Sequence, residues 1–383
     1  MGKTVIYSLA FITLGLGLGA FGPTLPALAA QTQVEMKQIS NLFVARSLGT
    51  ILGSWLLGRW YDRVTGHPLL AASLIGFVAG LALMPAVTSL WVMIGLSAFM
   101  GIVYASISVG GNALTLLVHG QQARPFLSVL HFAFGVGGLC APLIVAQFAD
   151  RVDNLQITYW SLALLGLPAA LLILWSPSPP LRSARPRPES GRFSAWSLTG
   201  LVAFFFLQVG AESSLMVWLF SYATGRGMET HTAAYMNSAF WATFSLSRLA
   251  TVWLSARLQP ATIIVSHLCI LALITGALVV LPGTPTVLWM GSIGLGLAIG
   301  PIFPNILGFA QRLLQLTGKV TGWLTIGSSA AGLFWPRLIG QFFDSFGPQI
   351  MIWTVLVDIL GALAVMILLI SMANRAETDE QFL

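Results

Sequence analysis

Long apolar stretches separated by short polar breaks run through the whole chain, at positions 5–30, 38–61, 68–87, 90–118, 126–149, 155–176, 196–222, 233–256, 261–281, 285–311, 320–343 and 349–373. A helix needs about 20 apolar residues to cross bilayer hydrocarbon, so this pattern predicts an all-α membrane protein of about twelve transmembrane helices. Composition points the same way. Of 383 residues 56% are apolar and only 8% charged, whereas a soluble domain carries about 25% Asp, Glu, Lys and Arg. Mean hydropathy is +0.85, and the short breaks leave no room for a globular domain. The first stretch follows Lys3, and Ala27-Leu28-Ala29 looks like a signal cleavage site. Its apolar run is much longer than a signal's and further spans follow it, so it reads as a retained helix.

The formal net charge of +6 would suit a nucleic-acid binder, but the basic residues are scattered one or two per loop and gather on no face. Their placement is topological instead. Lys3, Arg59, Arg63, Arg124, Arg182, Arg185, Arg187, Arg192, Arg257, Arg312, Lys319 and Arg375 fall in one set of alternate loops, against Lys37, Arg151 and Arg226 in the other. By the positive-inside rule both termini are expected in the cytoplasm, with the chain integral to the cytoplasmic or plasma membrane. Cys140 and Cys269 lie inside apolar runs, where a thiol behaves as a small hydrophobe rather than a disulfide half or a metal ligand.

An internal repeat divides the chain. At an offset of 193, Gly101 falls on Gly294 and Asn112 on Asn305; at 194, Pro142, Gln147 and Asp150 fall on Pro336, Gln341 and Asp344; at 198, Trp55 and Arg59 fall on Trp253 and Arg257. These registers predict two six-helix bundles, 1–176 and 196–383, joined by the Pro-rich basic linker 177–195. An even number of spans per unit makes the repeat parallel, as in a two-bundle transporter with its site between the bundles.

Gly58-Arg59-Trp60-Tyr61-Asp62-Arg63 followed by Gly66 resembles the loop between the second and third spans of the major facilitator superfamily, and the resemblance covers essentially the whole chain. The runs FGPTLPALA (21–29), LHFAFGVGGLCAPL (130–143), VGAE (209–212) and FWATFSLSR (240–248) are similar to the branch that holds fucose:proton symporters and sodium-dependent glucose transporters. The resemblance implies a gating role for Asp62 and Arg63, and it implies that the fifth and eighth spans adjoin between bundles, bringing His131 near Arg248. Two departures stand out. Val64 and Thr65 both precede Gly66, with His67 where a basic residue is common, and Ser108 stands four positions before Asn112 where the branch often has an acid.

A charged side chain inside a span costs roughly 2.5 to 3.5 kcal/mol at the helix centre, so each one needs a partner, water or a function. Glu212 lies near the midplane of the seventh span, where a carboxyl can carry a proton or belong to an ion pair. Arg46 could salt-bridge Glu212, contact substrate hydroxyls with its five donors, or snorkel outward. Arg248 sits in the inner half of its span and reads as a structural or gating cation; His131 reads as a proton relay or as packing at a helix end. Asp358 is expected to make a local hydrogen bond, and Arg337 to snorkel or to pair with Asp344. Gln208, Asn112 and Asn305 are amides able to donate to and accept from hydroxyls, and the repeat predicts that Asn112 and Asn305 face one cavity. Trp241 is the expected stacking platform for the apolar face of a sugar. The glycine runs at 15–19, 135–138 and 294–300 follow no strand and carry no P-loop lysine, so they read as helix-packing surfaces.

The leading reading is a secondary active transporter, not an enzyme, that moves a small polar solute such as a sugar by alternating access, with a proton or sodium gradient in place of a cofactor. Its expected partners are the solute and the bilayer, with no nucleic acid, and the protein is expected as a monomer. Export of amphipathic drugs or lipids is a second reading, and a receptor that senses ligand without moving it is a third.

Overall fold

The computed structural model describes residues 2–61, 63–149, 151, 154–180, 195–281, 283–314 and 318–381. Linker residues 181–194 and Asp62 therefore lie outside the described residues. The first half of the chain forms α1 (Gly2–Gln31), a short α2 (Met36–Ile39), α3 (Asn41–Tyr61), α4 (Gly66–Leu83), α5 (Leu90–His119), α6 (Ala123–Phe148) and α7 (Asn154–Trp175). The second forms α8 (Ala195–Gly225), α9 (Thr230–Ser255), α10 (Pro260–Val280), α11 (Pro285–Ile299), α12 (Ile302–Leu313), α13 (Gly318–Phe346) and α14 (Gln349–Gln381). Helices satisfy every backbone donor and acceptor internally, which hydrocarbon requires. The tenth span, expected as one stretch, is broken between α11 and α12 at Gly300-Pro301, because proline lacks the N–H and crowds the preceding turn.

Among the described residues nine segments are long and apolar enough to cross a membrane. Helices α3, α9 and α13 are also long, at 21, 26 and 29 residues, yet they are not among the nine. All three pack against the opposite half of the chain. Arg46, Ser47 and Thr50 on α3, Arg248 on α9 and Thr321, Thr325 and Ser328 on α13 line cavities between the halves, so hydrophobicity is relaxed there.

Pairing within each half follows one scheme. In the first, α1 packs on α6, α3 on α5 and α4 on α7; in the second, α8 packs on α13, α9 on α11 and α10 on α14. Gly15 and Gly137 let α1 and α6 touch: a Cβ on Gly15 would lie 2.0 Å from the Phe134 carbonyl oxygen, and one on Gly137 would lie 2.1 Å from that of Ile12. The repeat also shows in side chains. Arg59 lies over the Trp55 ring at 4.3 Å, and Arg257 over Trp253 at 3.9 Å. The pair at offset 193 packs differently, since Gly101 meets the Arg46 carbonyl on α3 while Gly294 meets Ile274 on α10.

The halves meet where α1 adjoins α8, α2 and α3 adjoin α13, and α6 adjoins α9. Their polar cross-links cluster at the end where α1 finishes and α3 begins. There the Lys37 N–H donates to Asp344 Oδ2 at 2.9 Å, Gln341 Nε2 donates to the Lys37 carbonyl at 3.2 Å, and Arg337 donates to Asn41 Oδ1. Arg337 thus pairs with Asn41 and not with Asp344. On the other flank Gln147 Nε2 donates to the Tyr235 hydroxyl at 2.8 Å, so the two repeat-related glutamines each reach across to the opposite half. Beneath these links a ladder of rings crosses four helices: Phe21 to Phe43 at 5.5 Å, Phe43 to Trp218 at 5.9 Å and Trp218 to Phe343 at 5.0 Å.

Candidate functional site

Under that roof the halves part. A cavity of about 530 Å³ is lined by Phe11, Tyr104, Ser108 and His131 from the first half and by Glu212, Arg248, Thr321 and Ser328 from the second. It shares Leu18, Tyr104, Val209 and Ser328 with a neighbouring space of about 360 Å³ lined by Arg46, Ser47, Thr50, Ser213 and Ser329. Together they form one central chamber between the halves, closed at the ladder and widening toward the end at which α1 begins.

Glu212 is held from two directions. Gln208, one turn earlier on α8, donates Nε2 to Glu212 Oε2 at 2.9 Å, and Arg248 on α9 donates Nη2 to Oε1 at 2.9 Å. The side chains are 12% exposed for Glu212 and 22% for Arg248, so the pair is mostly desolvated yet borders the chamber. The Arg248 guanidinium also lies 4.2 Å over the Phe244 ring. Gln208 is buried and orients the carboxylate rather than lining the chamber. Arg248 is therefore the partner of Glu212, the role weighed for Arg46.

Arg46 lies on the opposite wall. Its guanidinium sits 5.1 Å from the Tyr104 ring and 5.8 Å from that of Phe21. Among the described residues it makes no ion pair. His131 and Arg248 line the same cavity, as expected, and His131 stands edge-on to Phe11 at 5.8 Å. Both also border a side opening of about 340 Å³ between α6, α9 and α12.

Other expected site residues lie elsewhere. Asn305 is buried, donates Nδ2 to the Pro301 carbonyl at 2.7 Å and accepts from Ser255 Oγ at 3.1 Å. Asn112 donates Nδ2 to the Ser108 carbonyl at 2.8 Å. Neither lines the chamber, so the two are not brought together. Trp241 is fully buried against Gly138, where an added Cβ would lie 2.4 Å from the indole, and edge-on to Phe134 and Phe244. It offers no ring face to a solute. Arg63 sits in the exposed turn after α3, its N–H on the Trp60 carbonyl at 2.9 Å. Asp358 is fully buried, and neither carboxyl oxygen has a hydrogen-bond partner among the described residues, contrary to the local bond expected.

The reading from sequence missed Tyr104 and the hydroxyls of α3 and α13. Thr321, Thr325 and Ser328 recur at helical spacing, and Phe43, Arg46, Ser47 and Thr50 form a second stripe. A polar stripe on an otherwise apolar span was the available signal.

Residues 7–336 match the sequence profile of the Major Facilitator Superfamily. The chain belongs to this superfamily. Its members are membrane-embedded transporters, not enzymes. The chain is 28% identical over 371 residues to sodium-dependent glucose transporter 1A of Mus musculus, across 86% of this chain and 87% of that protein. It is 23% identical over 443 residues to major facilitator superfamily domain-containing protein 4A of Mus musculus, across 90% and 86%. A crystal structure of a mutant of the nucleoside transporter NupG superposes with a TM-score of 0.76 at 14% identity, over 97% of this chain and all 100% of that one. An inward-facing, unoccupied structure of a bacterial homologue of the lysosomal transporter Spinster gives 0.73 at 14% identity, over 97% and 94%. At such identity these structures speak for the fold alone.

Proposed function

We propose that this superfamily member is a secondary active transporter for a small polar solute of the sugar or polyol class, coupled to a proton or sodium gradient through Glu212. The observation that carries the reading is the Glu212–Arg248 ion pair at the wall of the central chamber. A carboxylate that shares one guanidinium can exchange it for a proton or a cation, and the freed Arg248 then changes the electrostatics at the α6–α9 contact. The relatives named for sodium-dependent glucose transport support the solute class and the coupling. The closed roof and the chamber widening toward the termini support an inward-open state, with both termini in the cytoplasm by the charge bias of the loops.

Uptake into proteoliposomes tests this reading. Glu212→Gln keeps the hydrogen bond from Gln208 but cannot titrate, so gradient-driven accumulation should vanish while exchange of solute across the membrane survives. Full accumulation by the variant would remove Glu212 from coupling.

Transport of an amphipath is a second reading, favoured by the side opening between α6 and α9. Exposed Phe132, Leu249 and Val252 border it, and it reaches the chamber at His131 and Arg248. An amphipath's affinity would track its apolar area, whereas a polar solute's would track its hydrogen-bonding groups.

A further inference from the structure

Among the described residues, two guanidiniums and one carboxylate border the central chamber. Arg248 is matched by Glu212 at 2.9 Å. Arg46 is matched by nothing of opposite charge among the described residues: its contacts are the faces of Tyr104 and Phe21, and the residues around it are the hydroxyls of Ser47, Thr50, Ser213, Ser328 and Ser329. The chamber thus carries one uncompensated positive charge, set directly beneath the aromatic roof where the halves close.

The hydroxyls cannot supply the missing counter-charge, and three of them are already engaged. Thr50 donates to the Arg46 carbonyl at 3.0 Å, Ser213 to the Gly210 carbonyl at 3.1 Å and Ser328 to the Leu324 carbonyl at 3.0 Å. A guanidinium has five N–H donors in a fixed fork and no acceptor, and its best partner is a planar carboxylate bound through two parallel hydrogen bonds. A lone cation in a chamber that closes around its cargo is costly unless the cargo neutralises it. One surplus charge calls for a monoanion, since a phosphate dianion would leave the chamber negative.

We infer that the transported solute bears a single carboxylate seated on Arg46, with a polyhydroxylated body reaching toward Tyr104, Ser328 and the Glu212–Arg248 pair. The class is a sugar acid rather than a neutral sugar. This inference rests on the polar-solute reading above and sharpens it. Ser47 on α3 and Ser329 on α13 line the same space as Arg46 and are the hydroxyls there left to donate to the carboxylate.

The test compares matched ligands on the purified protein. D-glucuronate and D-galacturonate are titrated by calorimetry beside the corresponding hexoses and the neutral uronamides, with wild type, Arg46→Gln and Arg46→Lys. At least one uronate should bind wild type more tightly than both its hexose and its uronamide by roughly ten- to hundredfold, the worth of a hydrogen bond to a charged group. Arg46→Gln should erase that difference and Arg46→Lys should restore part of it. The acid-versus-amide comparison in wild type stands even if a variant folds poorly. Hexoses binding as well as uronates would overturn the inference, as would binding by neither series. Hexose binding with uptake that still depends on Glu212 would leave the transporter reading in place. A preference for uronates with no role for Glu212 in uptake would support the inference and overturn the coupling.

Discussion

Arg248 Nη2 on α9 and Glu212 Oε1 on α8 lie 2.9 Å apart inside the second half of the chain, at the face it turns toward the first. Of the two, Glu212 could have been matched across the halves by Arg46, which lines the adjoining space. Glu212 and Arg248 are matched within one half instead, so the pair can persist while the halves rock, and it can be opened by binding a cation or proton at Glu212 alone.

That arrangement makes the pair a stability element as well. Replacing Arg248 by Met should destabilise the protein by about 2 to 4 kcal/mol, below the fully buried case because the chamber admits water. Adding Glu212→Gln should recover part of the loss. A double-mutant cycle followed by denaturant unfolding in detergent checks this; strictly additive losses would show that the two groups do not interact.

The roof clasp should set the balance between states. Asp344→Ala removes the acceptor of the Lys37 N–H, and Gln147→Ala removes the donor to Tyr235. Each change is worth about 1 kcal/mol, or roughly a fivefold shift toward the state open at that end. Spin-label distances between the roof ends of α6 and α9 read the shift, and unchanged distributions would show that the clasp bears no load.

Trp241, fully buried, should act on stability rather than on the ligand. Truncation of this fully buried indole to Ala should cost about 3 to 5 kcal/mol, and Gly138→Ala about 1 to 3 kcal/mol through overpacking. Solute affinity of the folded Trp241→Ala protein should stay near that of wild type. A titration showing selective loss of binding at intact stability would return Trp241 to the solute site.

His67 ties down the segment that follows α7. Its Nδ1–H donates to the Ser176 carbonyl at 2.8 Å, and its Nε2 lies 2.8 Å from the Tyr7 hydroxyl. A carbonyl only accepts, so Nδ1 carries the proton and the neutral ring accepts from Tyr7. His67→Ala leaves a buried phenol unpaired and should cost about 1 to 3 kcal/mol. It should also speed proteolysis after Ser176; an unchanged cleavage rate would show that the anchor is dispensable.

Much of this protein was legible along the chain. Span number, the paired Trp55–Arg59 and Trp253–Arg257 contacts, and the glutamines Gln147 and Gln341 as equivalents all follow from hydrophobic lengths and offsets, because the bilayer imposes one length scale and a duplicated unit repeats its local chemistry. Glu212 announced itself because a carboxyl in a span is costly wherever it points. Which polar residues share a chamber was not legible. Asn112 and Asn305 are equivalent by count yet end in helix-backbone hydrogen bonds, and Trp241 lies in an aromatic run yet turns into the α6–α9 contact against Gly138. The partner of Glu212 and the unmatched charge of Arg46 were likewise decided only when α3, α8, α9 and α13 packed. A helix's sequence specifies which residues share a stripe, while the rotation of that stripe toward cavity, neighbour or lipid is set by how close the glycines let the helices approach.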